Sequence, residues 1–291
     1  MRKFKKMYVE ITNVCNLNCK FCPKTKRNAK FMTADEFRII AEKLKGFGKF
    51  IYLHVLGEPL LHPQLKEILD IAQEYGFKVN ITTNGTLLKE KGEILLNSES
   101  FHRINISLHS FEANDEKIDL KEYIKNITDF AKKAVDKEKI CLLRLWNIDG
   151  EFTKADNALN DDILKILEKE FQLEYTIDNS ILHKGKNLTI KKFLYVEQAE
   201  KFEWPDISKD DENIDCFCYG LRDQIGVLSD GSVIPCCLDH EGDIVFGNLF
   251  EKSINEILNT KRAIDFYDGF TARKAVEKLC KTCGYATRFS K

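Results

Sequence analysis

Apolar and polar positions along this chain follow two periods that take turns. Residues 7–12 are a short β-rich run that delivers a loop holding Cys15, Cys19 and Cys22. Thr33 and Glu36 stand three apart, the spacing of a capping box, in which each side chain takes a backbone amide at a helix start. Phe37, Ile40, Ala41 and Leu44 then fall on one helical face, and Gly46 and Gly48 stop that helix. Residues 50–56 are nearly all apolar, as in a parallel strand covered on both faces. A second helix carries Leu65, Ile68, Leu69 and Ala72 on one face and ends at Gly76. The alternation repeats: strand over 77–83, helix over 87–96, strand over 104–108, an amphipathic stretch through Val135, strand over 140–146, helix over 161–171 and a weaker strand over 173–177. Residues 191–195 form either a strand or a connector. About six strand–helix units in succession predict an α/β fold, a parallel sheet curled into a partial (β/α)6 TIM-like barrel.

From about residue 184 to 205 the pattern loosens. This predicts a barrel over 1–200 and a small α+β domain over 201–291. In the latter, residues 224–235 read as a hairpin around Asp230-Gly231, leading into Cys236-Cys237. Ser253 and Glu256 form a second capping box. A 43% hydrophobic content supports a substantial core, and only 5 Pro and 15 Gly argue against a linker-rich array. The net charge of −1, from 45 basic and 46 acidic residues, leaves no electrostatic footprint for nucleic acid or an anionic membrane. No apolar run approaches the ~20 residues of a membrane span. The basic residues 1–7 lack the apolar core of a signal peptide. Ten cysteines without a secretion signal point to metal binding in a reducing cytoplasm.

Cys15, Cys19 and Cys22 have the spacing C-x3-C-x2-C, and the next cysteine is Cys141, placed in an apolar strand as a core residue. A cubane cluster normally takes four thiolates, so three predict a 4Fe–4S cluster with one iron open to a ligand; a zinc site is the alternative. Polar groups gather where a barrel enzyme needs them, at the carboxyl ends of strands. They are Thr12 with the cysteine loop, Gly57-Glu58-Pro59, Thr83-Asn84-Gly85, Ser107-Leu108-His109, and Arg144 with Asn147. In the carboxyl-terminal third Cys218, Cys236, Cys280 and Cys283 are separated by 17, 43 and 2 residues. Four thiolates can saturate a second cluster, which would carry electrons or buttress substrate. A zinc ribbon uses the same C-x2-C, and Cys216 could stand for Cys218, or Cys237 for Cys236.

With Phe21 before its third cysteine, the amino-terminal stretch resembles the signature of the radical S-adenosylmethionine (SAM) superfamily. The later set resembles the SPASM/Twitch auxiliary-cluster domain, in its shorter Twitch form, because the further cysteines of the full pattern are missing. Gly231 with Cys236, and Gly247-Asn248-Leu249, also fit. The resemblance implies SAM at the open iron, a second, auxiliary 4Fe–4S cluster, and a flavodoxin- or ferredoxin-type electron donor. Gly57-Glu58-Pro59 resembles the family's Gly-Gly-Glu-Pro motif with Leu56 in place of the first glycine, which implies contact with the amino group of SAM. Glycine lets backbone approach, and carbonyls and a carboxylate suit an ammonium. Asn84 and Ser107 match positions that contact the nucleoside or carboxylate. The family arginine after the fourth strand has no counterpart in residues 111–114. Arg144 takes its place, with a structural ion pair at the rim as the alternative.

The implied reaction is reductive cleavage of SAM to methionine and a 5′-deoxyadenosyl radical. The radical takes hydrogen from an unactivated carbon, and the second cluster accepts the remaining electron. Only about six residues precede the first strand, which favours a small polar substrate of aminocyclitol or carbohydrate kind over a peptide docked by a leader-binding module. The ending Arg288-Phe289-Ser290-Lys291 lacks the double-glycine tail of the family's nucleotide cyclase. The alternative is a ribosomal-peptide maturase or epimerase, in which Cys237 would give a hydrogen atom to the substrate radical. His109 would face substrate at the barrel mouth or serve the structure. A non-catalytic iron–sulfur carrier is the reading from another class. It has no need for Glu58, Asn84, Ser107 and Arg144 together at strand ends.

Overall fold

Thr33 closes its capping box: its hydroxyl accepts the Glu36 amide at 3.1 Å, and Glu36 accepts the Thr33 amide at 2.7 Å. That local chemistry starts the first helix. The computed structural model describes residues 2–113, 118–148, 157–177, 187–210 and 215–289. In chain order its elements are β1 (Lys6–Val9), α1 (Ala34–Leu44), β2 (Phe50–Tyr52), α2 (Leu65–Glu74), β3 (Lys78–Thr83), α3 (Leu88–Leu96), β4 (Phe101–Ser107), α4 (Leu120–Asp136), β5 (Ile140–Ile148), α5 (Asn160–Glu170), β6 (Leu188–Lys191), β7 (Leu194–Glu200), β8 (Gln224–Val227), β9 (Ser232–Ile234), β10 (Gly247–Asn248), α6 (Ile254–Leu258), α7 (Lys261–Thr271) and α8 (Lys278–Lys281). Among the described residues, no helix is long and apolar enough to cross a membrane.

The chain packs into two units that are discontinuous in sequence. The first comprises Met1–Val14, Pro23–Val79 and Phe202–Lys291. At its centre β1 pairs in parallel with β2 on one side, Met7 opposite Ile51, and with β8 on the other, Met7 opposite Ile225. β8 returns as β9, and β10 extends that antiparallel ribbon. α1 buries Phe37, Ile40, Ala41 and Leu44, the face the periodicity predicts. Tyr8, Val55, Leu228 and Ile234 form an apolar cluster, with Tyr52, Cys237 and Val245 against it.

The strand expected over 50–56 ends at Tyr52. The chain leaves the ladder early because it must swing to a left-handed Gly57, at φ +77.

The second unit comprises Cys15–Cys22 and Asn80–Lys201. Its strands lie in the order β3-β4-β5-β7-β6. β4 and β5 are parallel, Ile106 opposite Leu143, and β5 and β7 are parallel, Leu143 opposite Val196. The strand expected over 173–177 is absent. That segment folds back on its own helix, the Ile177 amide donating to Glu168 Oε1 at 2.6 Å. The place beside β5 goes to β7, whose Leu194 and Val196 are buried in alternation with less buried neighbours.

Candidate metal centres and strand-end groups

In the second unit the cysteine loop is a set of tight turns. The Cys22 amide donates to Cys19 O at 3.3 Å, and the Leu17 amide to Cys15 Sγ at 3.5 Å. Cys15 is exposed, Cys19 buried and Cys22 half-buried. Asn84, just past β3, reaches this loop. Its Nδ2 lies 3.8 Å from Cys15 Sγ and 2.9 Å from Asn16 Oδ1. Thr86 closes the ring, accepting from Asn16 Nδ2 at 2.9 Å and donating to Asn84 Oδ1 at 2.7 Å. From behind, the Tyr123 hydroxyl donates to the Asn84 carbonyl at 2.6 Å. Asn84 is thus fixed as a partner of the first cysteine.

Phe21 packs on His109, ring centroids 4.6 Å apart. His109 Nδ1 lies 3.2 Å from the Arg144 carbonyl and 3.3 Å from the Trp146 amide, which ties the turn after β4 to β5. Burial holds its imidazole down at about 4, so the ring is neutral at neutral pH. Ser107 ends β4 opposite Arg144, and its carbonyl accepts the Ser110 hydroxyl at 2.7 Å. Arg144 is in an ion pair, Nε 3.0 Å from Glu197 Oε2, and its guanidinium lies 4.5 Å over Trp146. Trp146 Nε1 donates to the same carboxylate at 2.9 Å. Glu197 escaped the sequence reading, its only signal being the alternation of β7. Of the stretch searched for the family arginine, Asn114 lies outside the described residues.

In the first unit Gly57 has no substitute. A Cβ there would stand 2.4 Å from Thr12 O and 2.9 Å from Val14 O. The Glu58 amide donates to Val14 O at 2.8 Å. Glu58 itself is 1% exposed, and its Oε1 accepts the Leu60 amide at 3.0 Å, capping the short turn Pro59–Leu61. Behind the turn lies a pair that sequence reasoning missed. Glu10, fully buried, takes Arg27 Nη1 and Nη2 at 2.7 Å each. It also accepts the amides of Leu56 at 3.2 Å and Ser229 at 3.3 Å. Arg27 Nε donates to His240 O at 2.8 Å. The one available signal was a charged residue inside an apolar strand run.

The same unit brings the later cysteines together. Burial pushes the Cys218 thiol up to about 12 and those of Cys236 and Cys280 well above the ordinary range; each also senses its neighbours in the set. Cys216 and Cys283 rise too, again chiefly through burial. Such thiols ionise only where cationic charge compensates them, which a bound metal provides. Cys237 meets the Tyr8 hydroxyl at the edge of the apolar cluster and also senses Cys283 of the set. Asp239, 1% exposed, is pushed up to about 6 by burial even though it accepts the amides of Asp243 and Ile244 at 2.8 and 3.0 Å. Among the described residues, no three His, Cys, Asp or Glu side chains gather tightly enough for one metal ion. A polynuclear cluster, held by thiolates at its corners, needs a wider spacing. Three thiols in one loop and a second set of half-buried thiols fit iron–sulfur chemistry.

Comparison with known proteins follows the same division. The radical SAM superfamily profile matches residues 9–188, and that of the SPASM iron–sulfur cluster-binding domain matches residues 216–284. "Probable GTP 3',8-cyclase" of Methanocaldococcus jannaschii is 32% identical over 46% of this chain, which spans 47% of that relative's length. The protein of the same name from Methanococcus maripaludis is 33% identical over 81% of this chain and 86% of its own. Among solved structures, BtrN in complex with AdoMet and 2-DOIA is 18% identical with TM-score 0.56, covering 97% of this chain and 94% of that one. Streptococcus suis SuiB bound to precursor peptide SuiA gives TM-score 0.61 at 18% identity, covering 98% and 70%. These structures share the mixed α/β fold with its parallel core. The cysteine spacing, the fold and both profiles agree, and this chain belongs to the radical SAM superfamily, with a SPASM iron–sulfur domain after its barrel.

Proposed function

We propose that this protein is a working radical SAM enzyme that oxidises a small polar molecule. The observation that carries the reading is the three-thiol loop with Asn84 against its first cysteine, because a loop built only to store a cluster needs a fourth thiol. When bound, the cluster on Cys15, Cys19 and Cys22 supplies the electron that cleaves SAM to methionine and a 5′-deoxyadenosyl radical, which takes a substrate hydrogen. Residues of each unit suit that chemistry. Asn84 orients Cys15. Phe21 and His109 exclude water on one flank with a neutral, apolar contact. Gly57 lets the backbone turn close under Thr12, and Glu58 and the carbonyls beside it suit the ammonium of SAM. Cys218, Cys236, Cys280 and Cys283 would hold the auxiliary cluster that takes up the second electron. A flavodoxin- or ferredoxin-type donor in the cytoplasm fits the first reduction. The solved BtrN complex favours the small-molecule reading. SuiB with its precursor peptide supports a second one, peptide modification, and the curated relatives' name supports a nucleotide cyclisation.

The test is 5′-deoxyadenosine formation under anaerobic conditions with SAM and dithionite. The reconstituted wild type is expected to make it, and a Cys15/Cys19/Cys22→Ala variant is expected not to. No product from an iron-loaded wild type in the presence of candidate substrates would overturn the reading in favour of an electron carrier.

A further inference from the structure

In the second unit, β3 and β4 present a polar face on the side opposite their helices. Ile104 and Ile106 alternate with Arg103, Asn105 and Ser107 along β4. Ile106 packs toward Ile127 of α4, the two meeting over Gly85 at 3.0 Å from where its Cβ would be. On the other face a chain of hydrogen bonds runs back along the strands. Asn105 Nδ2 donates to Thr82 Oγ1 at 3.1 Å, and Arg103 Nε donates to Asn105 Oδ1 at 3.0 Å. Arg103 is held by its inner nitrogen. Its outer nitrogens, Nη1 and Nη2, have no hydrogen-bond or ion-pair partner among the described residues.

A second observation points to the same place. Asn80 precedes Thr82 by two residues and shares its face of β3. It is 2% exposed, and its Oδ1 is buried with no hydrogen-bond partner among the described residues. A buried acceptor left unmet is costly, so each one calls for a ligand or a water. The contact of Asn105 with Thr82 joins the neighbouring strands β4 and β3, with Arg103 two residues before Asn105 on the one and Asn80 two residues before Thr82 on the other. The other charges of this face answer each other, Arg144 pairing with Glu197 at 3.0 Å. What remains is one guanidinium edge with two parallel N–H donors, the fork that matches two oxygens of an oxyanion. On the neighbouring strand, two residues before Thr82, is one acceptor waiting for a hydroxyl or amide hydrogen.

We propose that Arg103 and Asn80, braced by Asn105 and Thr82, form a subsite for an oxyanion on the substrate, a phosphate or a carboxylate, with a hydrogen-bond donor beside it. The proposal deepens the enzymatic reading and rests on it for the word substrate. It narrows the small polar molecule to an anionic one and disfavours a purely cationic aminocyclitol.

Binding to the reconstituted full chain, without SAM or reductant, tests this by isothermal titration with inorganic phosphate and with acetate. Wild type is expected to bind one equivalent. Arg103→Gln is expected to weaken binding by about tenfold or more, and Arg103→Lys to restore part of it. Asn80→Asp, which keeps the shape but adds a negative charge, is expected to weaken binding as well. Lys66→Gln, at an exposed ion pair on α2, is expected to change nothing. Thermal unfolding checks that each variant is folded. Tighter phosphate supports a phosphorylated substrate, and tighter acetate a carboxylate. No binding by wild type at millimolar concentration, or equal binding by wild type and folded Arg103→Gln, would overturn the subsite. A chain that binds the anion through Arg103 yet makes no 5′-deoxyadenosine would sink the enzymatic reading and leave the subsite standing.

Discussion

Glu10 is the one charged residue between Met7 and Thr12, and its carboxylate is sealed from water with Arg27. Breaking such a pair strands the other charge, so Glu10→Ala should cost about 3–5 kcal/mol in urea unfolding. Glu10→Leu with Arg27→Met removes both charges and should recover most of the loss; equal damage in single and double variants would show that packing, not charge, is at stake. His109 gives a pH prediction. Its folded pKa, about 4, lies below the 6.5 of an unfolded histidine, so the unfolded chain takes the proton first as pH falls. The stability tied to its neutrality is complete above pH ~6.5 and drains away down to pH ~4. Between pH ~7.5 and ~5 the loss is about 2 kcal/mol. His109→Gln should lack that component, and parallel stability-versus-pH curves for the two proteins would contradict the placement. The superfamily was legible because the spacing of Cys15, Cys19 and Cys22 is a local property. Glu10 was not, because its partners lie 17, 46 and 219 positions away.

Elements were legible where their determinants are short-range. The capping boxes at Thr33 and Ser253 each close within three residues, and both form as read. The errors fall where a distant neighbour decides. The run over 50–56 is apolar enough for a full strand, but the approach of Gly57 to Thr12 O cuts it short. Residues 173–177 lose their place in the sheet to β7, which carries the longer alternation. The Gly57 turn can be tested against a matched control. Gly57 and Gly76 both have positive φ, +77 and +78, but only Gly57 has atoms where a Cβ would go. Gly76→Ala should cost about 1–2 kcal/mol, the left-handed penalty alone. Gly57→Ala should cost clearly more, and equal midpoints in urea would show that the Thr12 contact does not matter.

For the molecule as a whole, iron content separates the two cysteine sets. Two 4Fe–4S clusters amount to about eight irons per chain. Cys15/Cys19/Cys22→Ala and Cys218/Cys236/Cys280/Cys283→Ala should each remove about half. Cys141→Ala should leave iron unchanged, its thiol being buried in β5 and pushed up to about 12. Cys237→Ala should also leave it unchanged, because that thiol is engaged with Tyr8; loss of half the iron there would make Cys237 a ligand. What no local pattern could reveal is that β8 lies beside β1, since parallel pairing between distant segments leaves no periodic trace. That pairing has a consequence for how the protein is made. β1 leaves the ribosome well before β8: the Ser229 amide that Glu10 accepts comes 219 positions later. At ~5–20 residues per second the interval is roughly 10–40 s. During it one flank of the first strand has no neighbour, and Glu10 lacks part of its cage. β1 is made long before β8 completes it, so the nascent chain passes through a long, half-built stage before it can close.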